Sequence, residues 1–146
     1  MAEPMAASAA EIAAAQTALA DEHAAMWACG VLGPRAGSRR SLARLTFVQH
    51  RDTRDLLVVW LRAAGATPVA TRAGYRLPFA LTGSSDAAAL ARRLEDGCGN
   101  AYAALVGVAQ DASLRALAVT ELITCAHRRV SWGGVPQTFP GLPRQK

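Results

Sequence analysis

Apolar side chains recur every three or four residues in four stretches of the chain, a spacing that predicts amphipathic helices. The first stretch opens with a capping-box signature, Ser8 and Glu11, and its apolar stripe continues from Ile12 through Leu19 to Met26. The same reasoning predicts helices over residues 9–32, 38–64, 86–109 and 112–132. The pattern is typical of an all-α protein.

The connections between these helices differ in length. The first and third are short, so the helices they join are predicted to be antiparallel neighbours. The middle connection, residues 66–84, contains Pro68, Gly74 and Pro78. A helix of about 24 residues is roughly 36 Å long, and about 19 extended residues reach roughly 60 Å. This connection is therefore predicted to cross the molecule lengthwise. Such a crossover gives a ferritin-like four-helix bundle with parallel second and third helices.

Five polar residues interrupt the apolar stripes: Glu22, His50, Arg54, Glu95 and Glu121. They come from all four helices and, with the crossover, fall in the middle third of the bundle. Because a buried charge is tolerated only when it is paired, we expect an ion-pair and hydrogen-bond network in which Arg54 and His50 neutralise the carboxylates. In the alternative interpretation, one or two of the carboxylates face water at the edge of the bundle.

Carboxylates inside a helical bundle also raise the possibility of a di-metal centre. That centre needs a Glu-x-x-His pair on each of two helices, and no histidine here has a glutamate three positions before it. We therefore expect no metal, no cofactor and no catalytic residue. The alternative is a redox or iron-handling protein with an atypical iron or manganese site. Its ligands would be Glu22, His50, Glu95 and Glu121.

Composition and charge narrow the classes of protein further. The 146 residues are 51% hydrophobic and 5% aromatic, with alanine abundant, which fits one helical domain over residues 1–146 with an irregular C-terminal strap at 133–146. The net charge is +5, but basic stretches lack the interleaved aromatics that stack on bases, so nucleic acid is not the expected partner. Double arginines are predicted to gather at one end of the bundle, where an anion or an acidic partner could dock. They are Arg39-Arg40, Arg92-Arg93 and Arg128-Arg129.

The cysteines and the absence of targeting signals suggest a location. Cys29, Cys98 and Cys125 lack the paired spacing of a disulfide framework or zinc site, so they are expected to be free and buried. Neither a secretory signal nor an apolar run of membrane-spanning length is found. The sequence therefore predicts a cytoplasmic protein without membrane contact.

Several short motifs resemble those of a ferritin-like domain family of unknown function from GC-rich bacteria. They are Glu22-His23-Ala24-Ala25 ahead of Gly30, His50-Arg51 with Arg54-Asp55, Gly65-Ala66-Thr67-Pro68, Tyr75 with Pro78, Leu94-Glu95 with Tyr102, and Trp132 with Pro140-Gly141-Leu142. The resemblance implies a ferritin-like four-helix fold without Glu-x-x-His metal motifs, and it implies no substrate or cofactor. Together these observations predict a non-catalytic bundle that acts through protein interaction, as a homodimer with a further protein partner of unknown identity.

Overall fold

The computed structural model describes residues 6–143, which form four long α-helices and no β-strand. The helices are α1 (Ala9–Leu32), α2 (Arg40–Ala63), α3 (Ser84–Val108) and α4 (Ala112–Ser131). The prediction of an all-helical protein is confirmed. Within the described part of the chain, no helix combines the length and the apolar character needed to cross a membrane.

The first helix lies at the centre of the helix packing. α1 packs against both α2 and α3, α3 packs against α4, and α2 and α4 make few contacts with each other. One apolar core lies around Leu19, Leu57 and Leu105, and a second lies around Leu32 and Trp132. Both cores draw on α1, α2 and α3. Glu22, His50 and Glu95 are buried polar residues in the middle of these three helices.

The long middle connection, residues 64–83, follows α1 from one end to the other. Gln16 Nε2, near the start of α1, donates a hydrogen bond to the carbonyl oxygen of Thr67 at 2.7 Å. Arg35, just beyond the end of α1, donates through Nε to the carbonyl oxygen of Leu81 at 3.1 Å. The chain therefore returns to the end of the molecule at which α2 began, and α2 and α3 run in the same direction.

The start of α2 differs from the predicted residue 38. Two turns of 3-10 helix, Gly33–Arg35 and Gly37–Arg39, come between α1 and α2, so that α2 begins at Arg40. Gly37 has a φ of +58°, a left-handed conformation that glycine adopts without steric cost and that interrupts a regular α-helix.

After α4 the chain leaves helical structure and folds back onto α3. The α-carbon of Gly141 lies so close to α3 that an added Cβ would come within 2.5 Å of the Gly99 carbonyl oxygen. Gly141 also has a φ of +77°. The predicted strap over residues 133–146 is thus irregular as far as residue 143, and residues 144–146 lie outside the described part.

Candidate functional site

The histidine of α2 joins the carboxylates of two other helices in the middle of the protein. His50 Nδ1 lies 2.6 Å from Glu22 Oε2, and His50 Nε2 lies 3.1 Å from Glu95 Oε1. The three residues are at most 2% exposed. The structure therefore brings together three of the five residues that the sequence singled out, one each from α1, α2 and α3.

This arrangement favours the protonated imidazole. Burial alone lowers the pKa of His50, but hydrogen bonds to Glu22 and Glu95, and then their charges, outweigh burial and raise the pKa from 6.5 to about 10. Protonated histidine donates from both ring nitrogens. At neutral pH His50 is thus a buried cation held between two carboxylates.

A second cation reaches the site from α4. Arg128 Nε lies 3.0 Å from both carboxylate oxygens of Glu95, and Arg128 is 4% exposed. Burial lowers the pKa of the guanidinium, but the charge of Glu95 more than compensates and raises it. Two carboxylates, Glu22 and Glu95, therefore face two cations, His50 and Arg128, and this set is formally neutral. The prediction of a buried ion-pair network is confirmed.

Tyr102 of α3 completes the surroundings of Glu22. Its hydroxyl donates a 2.5 Å hydrogen bond to Glu22 Oε1, the oxygen that His50 does not bind. Burial, and then the charge of Glu22, raise the pKa of Tyr102, so the phenol keeps its proton. Both oxygens of Glu22 therefore have a donor.

Glu121 of α4 lies at the margin of the network. Its Oε2 is 3.9 Å from Nη1 of Arg128, too far for a hydrogen bond. Within residues 6–143, both of these buried atoms lack a hydrogen-bond partner. Burial raises the pKa of Glu121, partly offset by the charge of Arg128. Glu121 thus belongs to the network through charge rather than through direct bonding.

Arg54 does not take the position that the sequence analysis gave it. Its side chain is 27% exposed and forms an ion pair, Nε to Oδ1 at 2.7 Å, with the exposed Asp55. The buried positions of α2 are Thr46, His50, Thr53 and Leu57. Arg54 lies four residues after His50 and therefore close to it around the helix, but within residues 6–143 its ion-pair partner is Asp55 and none of the network's three carboxylates.

The cation that sequence reasoning missed is Arg128, which the sequence places among the double arginines predicted at one end of the bundle. A signal was present in the spacing: the buried positions of α4 follow one another at intervals of three or four residues. They are Leu114, Ala118, Glu121, Cys125 and Arg128. The neighbouring Arg129 is partly exposed and pairs with Asp96 at 2.7 Å. Of this double arginine, only the second residue lies near the surface.

The three cysteines are free and buried. Burial, and then the charge of Glu95, raise the pKa of Cys29 to about 12. A hydrogen bond with Cys125, followed by burial, raises the pKa of Cys98. Such thiols stay protonated at neutral pH and are poor nucleophiles. Cys98 nevertheless has one geometric role: its Sγ, one ring nitrogen of His50 and one oxygen of Glu22 all lie within 4.8 Å of one another.

Comparison with known proteins gives the chain a family and a structural relative. Its fold is similar to that in the crystal structure of a conserved hypothetical protein, rv2844, from Mycobacterium tuberculosis. The TM-score is 0.84 at 34% sequence identity, and the match covers 87% of this chain and 97% of the other. No curated protein matches the sequence. Residues 14–144 match a family model described as a domain of unknown function, DUF4439, and the chain belongs to that family.

Proposed function

We propose that the protein is a non-catalytic, ferritin-like four-helix bundle that acts through protein interaction, and that its buried ion-pair network replaces a di-metal centre. The topology supports the ferritin-like assignment: an antiparallel pair, a lengthwise crossover and a second antiparallel pair. In such bundles, metal ligands project into the core from facing helices. The network here occupies a comparable position in the middle turns of the helices.

The observation that carries this proposal is the position of His50 between Glu22 and Glu95. A metal ion at this point would require His50 to lose its proton, because a cationic imidazole cannot be a ligand. It would also lie near Arg128, whose guanidinium already neutralises Glu95. Protein cations thus supply the positive charge that a metal would bring.

The interaction surface in this proposal is the outer face of α4, and the partner is a second copy of the chain. Val119, Ile123 and Val130 share one side of α4 and are 41%, 51% and 44% exposed. Ala126 lies between Ile123 and Val130 on the same side. An apolar stripe of this kind marks a contact surface on a protein, and one helix face can pair with itself about a two-fold axis. The three free cysteines fit a reducing, cytoplasmic setting for this dimer.

Metal content tests the first part of the proposal. Protein purified without a tag is expected to contain far less than one equivalent of iron, manganese or zinc, and added Fe(II) is expected not to be oxidised faster than in buffer. Nearly stoichiometric metal after purification would overturn the replacement of a metal centre by ion pairs.

Sedimentation tests the second part. The wild-type chain is expected to sediment as a dimer and Ile123→Glu as a monomer. Leu56→Glu is the matched control, because Leu56 is similarly exposed, at 55%, but lies on α2. A monomeric wild type, or a dimer that survives Ile123→Glu, would contradict the proposed contact.

The alternative function is that of a metal-dependent redox or iron-handling protein. The observation that favours it is the close approach of ligand atoms from Glu22, His50 and Cys98. Carboxylate, imidazole and thiolate together suit zinc or iron better than they suit magnesium or calcium. In that case Cys98→Ser would abolish metal binding, and metal would raise the melting temperature of the wild type but not of the variant.

A further inference from the structure

A cavity outside the ion-pair network lies between the crossover and helices α1 and α3. Its volume is about 290 Å³, close to the lower end of the range of about 300–1,000 Å³ that small-molecule sites occupy. Trp27 and Leu94 contribute apolar wall from the two helices, and Tyr75 and Leu77 contribute it from the crossover. The space fits a ligand of one or two rings.

Charged groups of both signs line the cavity, with positive charge in excess. The basic residues of the lining are Arg76 of the crossover and Arg93 of α3, and its only acidic residue is Asp21 of α1. Among the ion pairs of residues 6–143, neither Arg76 nor Arg93 takes part. Their guanidinium groups are therefore available to an external anion.

The combination of aromatic rings and guanidinium groups selects a type of ligand. Trp27 and Tyr75 both line the cavity, with ring centroids 5.6 Å apart and planes at 51°, so the wall presents an aromatic pair to which a further ring can add. Arginine binds carboxylates through paired N–H donors and also stacks on aromatic planes. A ring that carries a carboxylate satisfies both features.

The cavity wall is held in place at both ends of the crossover. The segment is tied to α1 by the bonds from Gln16 to Thr67 and from Arg35 to Leu81, and the Trp27–Tyr75 contact lies between these two points. A ligand therefore meets a wall that is already formed and need not spend binding energy on ordering the loop.

Gly97 leaves room in the cavity on the α3 side. It lines the cavity, and a Cβ added there would meet no atom within 4 Å. We therefore expect a larger side chain at this position to extend into the cavity without a clash at its Cβ. This property allows the cavity to be filled without damage to the fold.

We propose that this cavity is a binding site for a small aromatic carboxylate, with the ring against Trp27 and Tyr75 and the carboxylate held by Arg76 and Arg93. The site is separate from the proposed interaction face on α4. It adjoins the ion-pair network at Asp21, the chain neighbour of Glu22, and at Cys98, both of which belong to the lining of the cavity.

Calorimetric titration with 2-naphthoate, and with neutral 2-naphthamide as the matched probe, tests the charge requirement. Wild type is expected to bind naphthoate about tenfold more tightly than the amide, the effect of a charge-assisted hydrogen bond. Arg76→Ala and Arg93→Ala are each expected to reduce naphthoate affinity by about the same factor. Arg72→Ala, an exposed crossover residue outside the lining, is expected to leave it unchanged.

A filled cavity provides the steric test. Gly97→Leu is expected to abolish naphthoate binding, whereas Gly107→Leu is expected to bind like wild type. Gly107 is the matched control, because it also lies in α3 with no atom within 4 Å of an added Cβ and is not part of the lining. Helicity and melting temperature verify that both variants fold.

Three results would overturn the proposal. They are no heat of binding from wild type with millimolar naphthoate, equal affinity for the acid and the amide, and naphthoate binding by Gly97→Leu at wild-type strength. Metal content and dimerisation do not enter this test, so its failure would leave the function proposed above standing.

Discussion

The imidazole of His50 has a carboxylate at each ring nitrogen, Glu22 on one side and Glu95 on the other. A neutral imidazole carries one N–H and would turn a lone pair toward one of these carboxylates. The cationic form satisfies both. The individual side chain therefore explains why the set of Glu22, Glu95, His50 and Arg128 is neutral: His50 gains a proton on folding and offsets the second buried carboxylate.

The pKa of His50 gives a pH dependence of stability with a definite sign. Because this pKa rises from 6.5 to about 10 on folding, its contribution is fully present below pH 6.5 and is lost as the pH rises through 10. Between about pH 7 and 8.5, the contribution of His50 to the free energy of unfolding should fall by about 1.0–1.4 kcal/mol per pH unit, since nearly one proton is released from this side chain on unfolding. Urea titrations across this interval measure the slope.

Unfolded cysteines, whose pKa is about 8.5, begin to lose protons toward the upper end of this interval and add a fall of the same sign. His50→Gln is the control: it keeps the cysteine contribution, so the difference between its slope and that of wild type reports on His50. A wild-type free energy of unfolding that is constant from about pH 7 to 8.5 would show that folding does not raise the His50 pKa.

Two arginines provide a matched pair of substitutions. Arg128→Ala leaves the buried carboxylate of Glu95 without its guanidinium, and a loss of about 3–5 kcal/mol in the free energy of unfolding is expected. Arg54→Ala removes only a partly exposed pair with Asp55, and a loss of about 0.5 kcal/mol or less is expected. Equilibrium denaturation compares the two. Equal losses would mean that Arg128 does not compensate a buried charge.

Sequence spacing identified the carboxylates and the histidine of the site but assigned the wrong arginine. Glu22, His50 and Glu95 stand out because each interrupts an apolar stripe. Arg54 and Arg128 each lie within reach of a stripe by spacing alone, and the choice between them depends on which face of α2 and α4 meets the other helices. The packing of the helices decides this and cannot be read from spacing alone, although the regular spacing from Leu114 to Arg128 already placed Arg128 on the buried side of α4.

At the level of elements, the capping box of α1 also bonds to the turn between α3 and α4. Glu11 Oε2 accepts from the Ser8 backbone, and Oε1 accepts from the backbone N–H groups of Gln110 and Asp111 at 2.7 and 2.8 Å. These bonds, led by that of Asp111, lower the pKa of Glu11 to about 2. One side chain thus joins the start of α1 to the turn between α3 and α4.

Substitution of this side chain should loosen the turn. In Glu11→Ala, the amides of Gln110 and Asp111 lose their acceptor, and their hydrogen exchange should be faster than in wild type. Asp86→Ala is the comparison, because Asp86 accepts a similar bond from the Thr82 backbone at 2.9 Å but at the start of α3. Unchanged exchange at Gln110 and Asp111 in Glu11→Ala would show that the bonds to Glu11 do not stabilise the turn.

The C-terminal strap depends on one glycine. Gly141→Ala would force a Cβ against the Gly99 carbonyl oxygen and the side chains of Ala103 and Leu122. We expect the strap to detach and limited proteolysis to remove it quickly. Gly65→Ala is the matched control, since Gly65 has a similar φ of +76° but no atom within 4 Å of an added Cβ. Equal protease resistance in both variants would contradict the close packing of the strap against α3.

For the whole molecule, the apolar periodicity predicted the helical class, and the lengths of the connections between helices predicted the direction of the long connection. A 3.6-residue apolar period requires no knowledge of neighbours, and a connection of that length has few compact routes. The cavity between the crossover and α3 could not be predicted in this way. Its walls come from Trp27, Tyr75 and Leu94, which are far apart in the chain and meet only when the crossover packs on α1.

The charge state of His50 tests the central claim most directly. ¹⁵N-NMR of the imidazole should find both ring nitrogens protonated at about pH 8, well below the folded-state pKa, and the same spectrum after addition of zinc or Fe(II). A protein-cation network that replaces a metal predicts this result. An imidazole that is neutral at this pH, or whose nitrogen resonance moves when one equivalent of metal is added, would contradict it.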